Sequence, residues 1–98
     1  MFENTGIKQK VIDEIIDLAK QYDIHKVILF GSRARGDYKE RSDIDIAFSG
    51  GKAAAFMLDV DEKTSTLLEF DIIDLDKPVQ SGLLDSIMNE GKVLYEKV

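Results

Sequence analysis

The sequence predicts an α+β (mixed α/β) fold, a short mixed sheet flanked by helices in the order α-β-β-α-β-α-β. Three observations carry that prediction. Apolar residues recur at helical spacing from Ile7 to Tyr22. Apolar runs at Val27–Phe30, Ile44–Phe48 and Phe70–Leu75 are too brief for helices and are rich in β-branched and aromatic residues. Glycine and proline punctuate the chain between the elements, at Gly31, Gly50-Gly51, Pro78 and Gly91.

Taken in order, Thr5 can cap a first helix running from about Gly6 to Tyr22. Ile7, Val11, Ile15, Leu18 and Tyr22 form its apolar stripe, widened by Ile12, Ile16 and Ala19. Lys8, Lys10, Asp13, Asp17 and Lys20 occupy the other face, as on an amphipathic helix packed over a core. Asp23 to Lys26 connects, and the single histidine, His25, reads there as a surface residue. Val27–Phe30 has no polar alternation and so predicts a strand buried on both faces. A second strand spans Asp43–Phe48 and ends at the Ser49-Gly50-Gly51 turn. A helix with a less clean apolar face follows from Ala53 to about Lys63, then a strand from Leu67 to Leu75. Ser81 caps a helix through Asn89, with Leu83, Leu84, Ile87 and Met88 expected inward. Gly91 stops it, and Lys92–Glu96 forms the last strand.

At 98 residues the expectation is one domain, residues 1–98, whose 44% hydrophobic content sustains one core but no second lobe. With no cysteine, a disulfide frame and a thiolate zinc site are both excluded. No apolar run approaches the ~18 residues of a membrane span, and no signal-peptide pattern opens the chain, so a cytoplasmic protein without a membrane partner is expected. A net charge of −6 argues against long nucleic acid, whose binding draws mostly on basic side chains. The charge is uneven, however. Between Lys26 and Arg41, five basic residues (Lys26, Arg33, Arg35, Lys39 and Arg41) face only Asp37 and Glu40. One local basic loop suits a small anionic ligand; it is equally what a solvated charged loop looks like.

The chemistry concentrates between Lys26 and Ser49. Gly31 follows a buried strand directly, where the missing Cβ lets backbone approach a ligand. Ser32 can start a helical turn whose hydroxyl and free N–H groups face an anion, although many Gly-Ser pairs are only turns. Gly31 to Gly36 is not a P-loop, because Asp37-Tyr38 stands where Lys-Ser/Thr is required. On a strand Asp43 and Asp45 share a face, with Ile44 and Ile46 on the other. Such carboxylates either tolerate a solvated face or hold divalent ions in a two-metal arrangement for phosphoryl chemistry. An EF-hand is excluded, since the oxygen ligands and glycine it needs do not follow. Asp71, among Phe70, Ile72 and Ile73, is the best third carboxylate; Asp74 has the opposite parity and is expected exposed at the strand end.

Gly31-Ser32, ten intervening residues, then Asp43-x-Asp45 resembles the signature of the DNA-polymerase-β-type nucleotidyltransferase superfamily. The fuller string from Gly31 to Asp37, Ser42 to Ile46, the Phe70–Leu75 strand and the closing Gly91–Glu96 resemble its minimal nucleotidyltransferase (MNT) branch. The resemblance covers nearly the whole chain. It implies a nucleotidyltransferase fold and transfer of a nucleoside monophosphate, AMP from ATP, to a hydroxyl. Gly31 and Ser32 would hold the β- and γ-phosphates, with Arg33 and Arg35 adding positive charge nearby; the pattern does not fix which of the two turns inward. Asp43, Asp45 and Asp71 would bind two magnesium ions, and Asp71 would help deprotonate the acceptor. MNT proteins typically pair with HEPN-domain proteins as toxin–antitoxin systems, and some adenylylate a tyrosine on that partner. A non-catalytic antitoxin acting by contact and a small-molecule nucleotidyltransferase are the alternatives such a motif leaves.

Overall fold

The computed structural model describes residues 3–98. Four helices, α1 (Gln9–Gln21), α2 (Gly31–Arg35), α3 (Ala53–Lys63) and α4 (Ser81–Glu90), accompany four strands, β1 (Lys26–Phe30), β2 (Ile44–Ser49), β3 (Phe70–Asp74) and β4 (Lys92–Glu96). The strands form one sheet in the order β3-β2-β1-β4. β1 is antiparallel to both β2 and β4, whereas β2 and β3 are parallel. A parallel pair needs a crossover rather than a hairpin, and α3 supplies it. The mixed sheet and the order of the long elements agree with the sequence expectation, and the helical turn expected at Ser32 is the short α2.

Strand alternation sorts the core into two unequal parts. On one face Val27, Leu29, Ile44, Ile46 and Phe48 pack with Val11, Ile12, Ile15 and Ala19 of α1 and Phe56 and Val60 of α3. The Phe48 and Phe56 rings meet edge to face at 5.1 Å. On the other face Ile28, Phe30 and Ala47 close over Ile87 of α4, with Ile73, Leu75 and Leu83 partly buried around them. β1 is thus buried on both faces, as its unbroken apolar run predicts. Among the described residues no helix is long and apolar enough to cross a membrane.

Two boundaries and one burial pattern differ most from expectation. α1 begins at Gln9, not Gly6, and Lys8 rather than Thr5 occupies its N-cap. Glu3–Thr5 forms a separate 3-10 turn, the Thr5 hydroxyl accepts from the Ile7 N–H at 3.2 Å, and Gly6 is left-handed with φ 69°. A left-handed residue cannot continue a right-handed helix. β3 starts at Phe70 rather than Leu67, and Ser65, ahead of it, is tied to α1. The Ser65 N–H and hydroxyl both donate to the Glu14 carboxylate, at 2.8 and 2.7 Å, and Leu67 is left fully exposed. Those bonds hold the Glu14 carboxyl below its ordinary pKa. Finally, α4 turns only Ile87 fully inward. Leu84 and Met88, expected in the core, are exposed because so short a helix on so small a face has room for one buried ridge.

Candidate active site

The site forms where β1 ends and β2 and β3 begin. β1 runs into α2 without a linker: Phe30 is the last strand residue and the N-cap of the helix, and it has no side-chain acceptor to offer. The first N–H groups of α2 therefore have neither an intrahelical partner nor a side-chain cap. Gly31 opens the turn with φ 74°, and a Cβ there would overlap Oδ2 of Asp45. Glycine is required twice over, by conformation and by space. Ser32 follows, half-buried beside it.

β2 presents the carboxylates. Asp45 lies opposite Phe30 in the antiparallel pair and opposite Asp71 in the parallel one, so it stands between the turn and the third acid. Asp43 shares its parity but sits just before the strand, which begins at Ile44. Asp43 and Asp71 are exposed, and Asp45 is half-buried. Burial raises the Asp45 pKa to about 6, with the charges of Asp71 and Asp43 pushing in the same direction; Arg35 and Arg33 offset this only in part. A carboxylate that resists ionising among two others marks a place short of positive charge.

That donor chemistry fits hard divalent cations, which take carboxylate oxygens and fill the remaining positions with water or phosphate. Among the described residues no three ligating side chains converge into a finished cage. An ion there would need further ligands beyond these acids. A cavity of about 560 Å³ opens beside Asp43, lined by Glu40, Arg41, Leu67, Leu68 and Glu69, and does not reach Gly31, Asp45 or Asp71. The carboxylate face itself is open to solvent on the Asp43 and Asp71 sides.

The two arginines part company. Arg33, expected beside the phosphates, is 1% exposed. Its Nε donates to the Ser42 carbonyl at 2.9 Å, one terminal nitrogen to the Thr5 carbonyl at 2.9 Å, and the other to the Glu40 carbonyl at 3.1 Å. Its guanidinium carbon lies 4.8 Å from the centre of the Tyr38 ring. In this arrangement all three nitrogens face backbone carbonyls, so Arg33 is the arginine of the pair that turns inward. Arg35 remains at the surface, with Nε 3.3 Å from Asp37 and a terminal nitrogen 3.4 Å from Glu90 of α4. Asp74 also differs from expectation: it is half-buried, in register with Phe48, and accepts from the Asp76 N–H at 2.9 Å. No spacing rule in the sequence signals a buried arginine serving carbonyls, so Thr5, Gly6 and Tyr38 go unnoticed as its surroundings.

Comparison with known proteins gives the family. Residues 13–98 match the family described as Polymerase beta, Nucleotidyltransferase. A Methanocaldococcus jannaschii protein named as a candidate protein adenylyltransferase is 33% identical over 100 residues, covering 90% of this chain and 98% of the relative. Among solved structures, a toxin–antitoxin crystallised with AMP-PNP is similar with a TM-score of 0.69 and 25% identity, over 88% of this chain and 73% of that one. A nucleotidyltransferase so designated from Sulfolobus solfataricus gives a TM-score of 0.58 at 25% identity, over 97% of this chain and 86% of that one. A toxin–antitoxin called MntA–HpeT, at 22% identity and a TM-score of 0.69 over 88% of this chain and 73% of that one, shares the fold. The chain belongs to the polymerase-β-type nucleotidyltransferase family and is a nucleotidyltransferase.

Proposed function

We propose that this protein transfers AMP from ATP to a hydroxyl of a protein partner, a tyrosine of a HEPN-domain toxin, and so acts as an antitoxin. One observation carries the reading: the glycine of the phosphate turn lies directly against the central carboxylate, itself in register with Asp71. A triphosphate held by the turn therefore has its α-phosphate near the acids. In this reading the N–H groups of α2 and the Ser32 hydroxyl hold the β- and γ-phosphates. Arg35, the arginine left at the surface, exchanges Asp37 and Glu90 for phosphate oxygens. Asp43, Asp45 and Asp71 would hold two magnesium ions, whose chemistry is to neutralise the triphosphate and the charge developing on it. Asp71 takes up the proton of the acceptor hydroxyl. The acceptor oxygen bonds to the α-phosphorus, the bond to the β-phosphate oxygen breaks, and pyrophosphate leaves. The protein named as a candidate adenylyltransferase and the toxin–antitoxin crystallised with AMP-PNP support the donor and the kind of partner.

The test mixes the purified chain with the product of its neighbouring gene, ATP labelled on the α-phosphate and Mg²⁺. Label is expected on a tyrosine of the partner, lost when Asp43→Ala replaces the native chain. Unlabelled partner, or labelling that Asp43→Ala leaves intact, sinks the reading.

A second reading, neutralisation by contact alone, is favoured by one observation. Leu84 and Met88 stand exposed one turn apart on α4, and Val93 is exposed on β4. It predicts that Asp45→Ala still protects cells from the partner; loss of protection in that variant decides for transfer.

A further inference from the structure

Ser42 precedes Asp43, and the atoms that fix the peptide between them belong to Arg33. The loop from Gly36 to Asp43 carries no regular structure beyond short turns, yet it must deliver Asp43 to the site. It is held from inside. The Arg33 guanidinium reaches three carbonyls in two separate stretches of chain: Thr5 before α1, and Glu40 and Ser42 within the loop. The bond from Nε to the Ser42 carbonyl orients the Ser42–Asp43 peptide plane and with it the Asp43 backbone. Two further bonds brace the same corner, as the Lys39 N–H donates to the Ser42 hydroxyl at 2.8 Å and the Ser42 N–H donates to the Lys39 carbonyl at 3.0 Å. Tyr38 covers one side of the guanidinium, and Gly6 lies against both Tyr38 and Arg33.

We propose that Arg33 is a positioning residue for nucleotidyl transfer, which sets Asp43 through the Ser42–Asp43 peptide and does not itself touch the nucleotide. The proposal rests on the nucleotidyl-transfer reading above only for its kinetic arm. Two physical points support it. A guanidinium offers five donors in a rigid planar fork, so one side chain can fix three carbonyls at once; an ammonium is a point charge and cannot span them. Burial makes the arrangement obligatory, because a fully desolvated cation with its acceptors removed is expensive to keep. Arg33 is therefore committed, whereas Arg35, one residue beyond Ala34, is not.

The experiment compares the native chain with Arg33→Lys and, as a gentler loosening of the same clamp, Tyr38→Ala. Three readouts are taken: steady-state transfer with ATP varied, Mn²⁺ binding followed by loss of the free-ion electron paramagnetic signal without nucleotide, and amide hydrogen exchange over residues 36–43. Outer-sphere supports of a metal site typically change affinity or activity by about 10- to 100-fold. The expected result is a kcat lowered by that order in Arg33→Lys with KM for ATP within about threefold, weaker Mn²⁺ binding, and faster exchange of the loop amides. Tyr38→Ala is expected to move all three in the same direction by less. A raised KM for ATP with kcat and Mn²⁺ binding unchanged means that Arg33 contacts phosphate, and overturns the proposal. Native kcat per folded molecule in Arg33→Lys overturns it too. If Arg33→Lys does not fold, Tyr38→Ala decides, and an unchanged kcat there is equally fatal. If the native chain shows no transfer, the functional reading fails by itself; Mn²⁺ binding and loop exchange then still decide whether Arg33 sets Asp43.

Discussion

The two faces of the sheet are built to different rules. Toward α1 and α3, Ile44, Ile46 and Phe48 are completely buried and packed against two helices. On the opposite face, the same strand carries Asp45 in a half-buried position, and only a small cluster around Ile87 closes over it. The difference teaches how a small chain houses charge. Because strand neighbours point to opposite sides, β2 anchors the larger core with Ile44, Ile46 and Phe48 and turns Asp45 the other way. The larger core and the candidate site thus fall to opposite sides of one strand.

This separation can be broken from either side. The largest effect is expected from Phe48→Ala, which should cost about 3–5 kcal/mol, a substantial fraction of the stability of a small domain. Urea unfolding measures it, and the folded fraction should keep its transfer rate. Asp43→Ala should do the opposite, lowering transfer by roughly 100- to 1,000-fold while the urea midpoint stays close to native. A large loss of stability in Asp43→Ala would show that the two faces are not independent.

Gly31→Ala sits on the boundary and should disturb both. Forcing a Cβ into a left-handed residue costs about 1–2 kcal/mol, and displacing the Asp45 carboxylate should abolish transfer. Thermal melting and the labelling assay read the two effects separately.

The smallest effect sharpens the contrast through pH. The Asp45 pKa of about 6 lies above its ordinary value of 3.8, so the folded state binds more protons than the unfolded state between those pH values. Its contribution to stability therefore declines as pH rises from about 4 to about 6, and the full cost persists above that. Asp45→Asn should raise the melting temperature by a few degrees at pH 7.5 and leave it nearly unchanged near pH 4. Equal gains at both pH values would assign the effect to packing instead of charge.

How much of this was legible in the sequence follows the kind of force involved. The strand at Val27–Phe30, the helix at Ala53–Lys63 and the last strand at Lys92–Glu96 announce themselves because burial and periodicity are local in sequence. The start of α1 was not, since Gly6 is set left-handed next to Tyr38 and Arg33, which lie far along the chain. The start of β3 is not legible for a similar reason: Glu14 captures Ser65 from another element. The acids and the glycine turn could be placed on one site by parity and motif. The inward turn of Arg33 could not, because its partners are backbone carbonyls, which every residue possesses and no sequence pattern marks.

The parallel pairing of β2 with β3 has a consequence for the chain during its synthesis. Asp45 and Asp71 become neighbours only when the segment through α3 has carried the chain back to the sheet. A nascent chain that stops short of β3 holds the glycine turn and the first two acids, but not the third. Contacts of such long sequence separation close late, after the loop entropy between them has been overcome. In the transfer reading proposed above, a chain that stops before β3 lacks one of the three acids and is expected to be inactive.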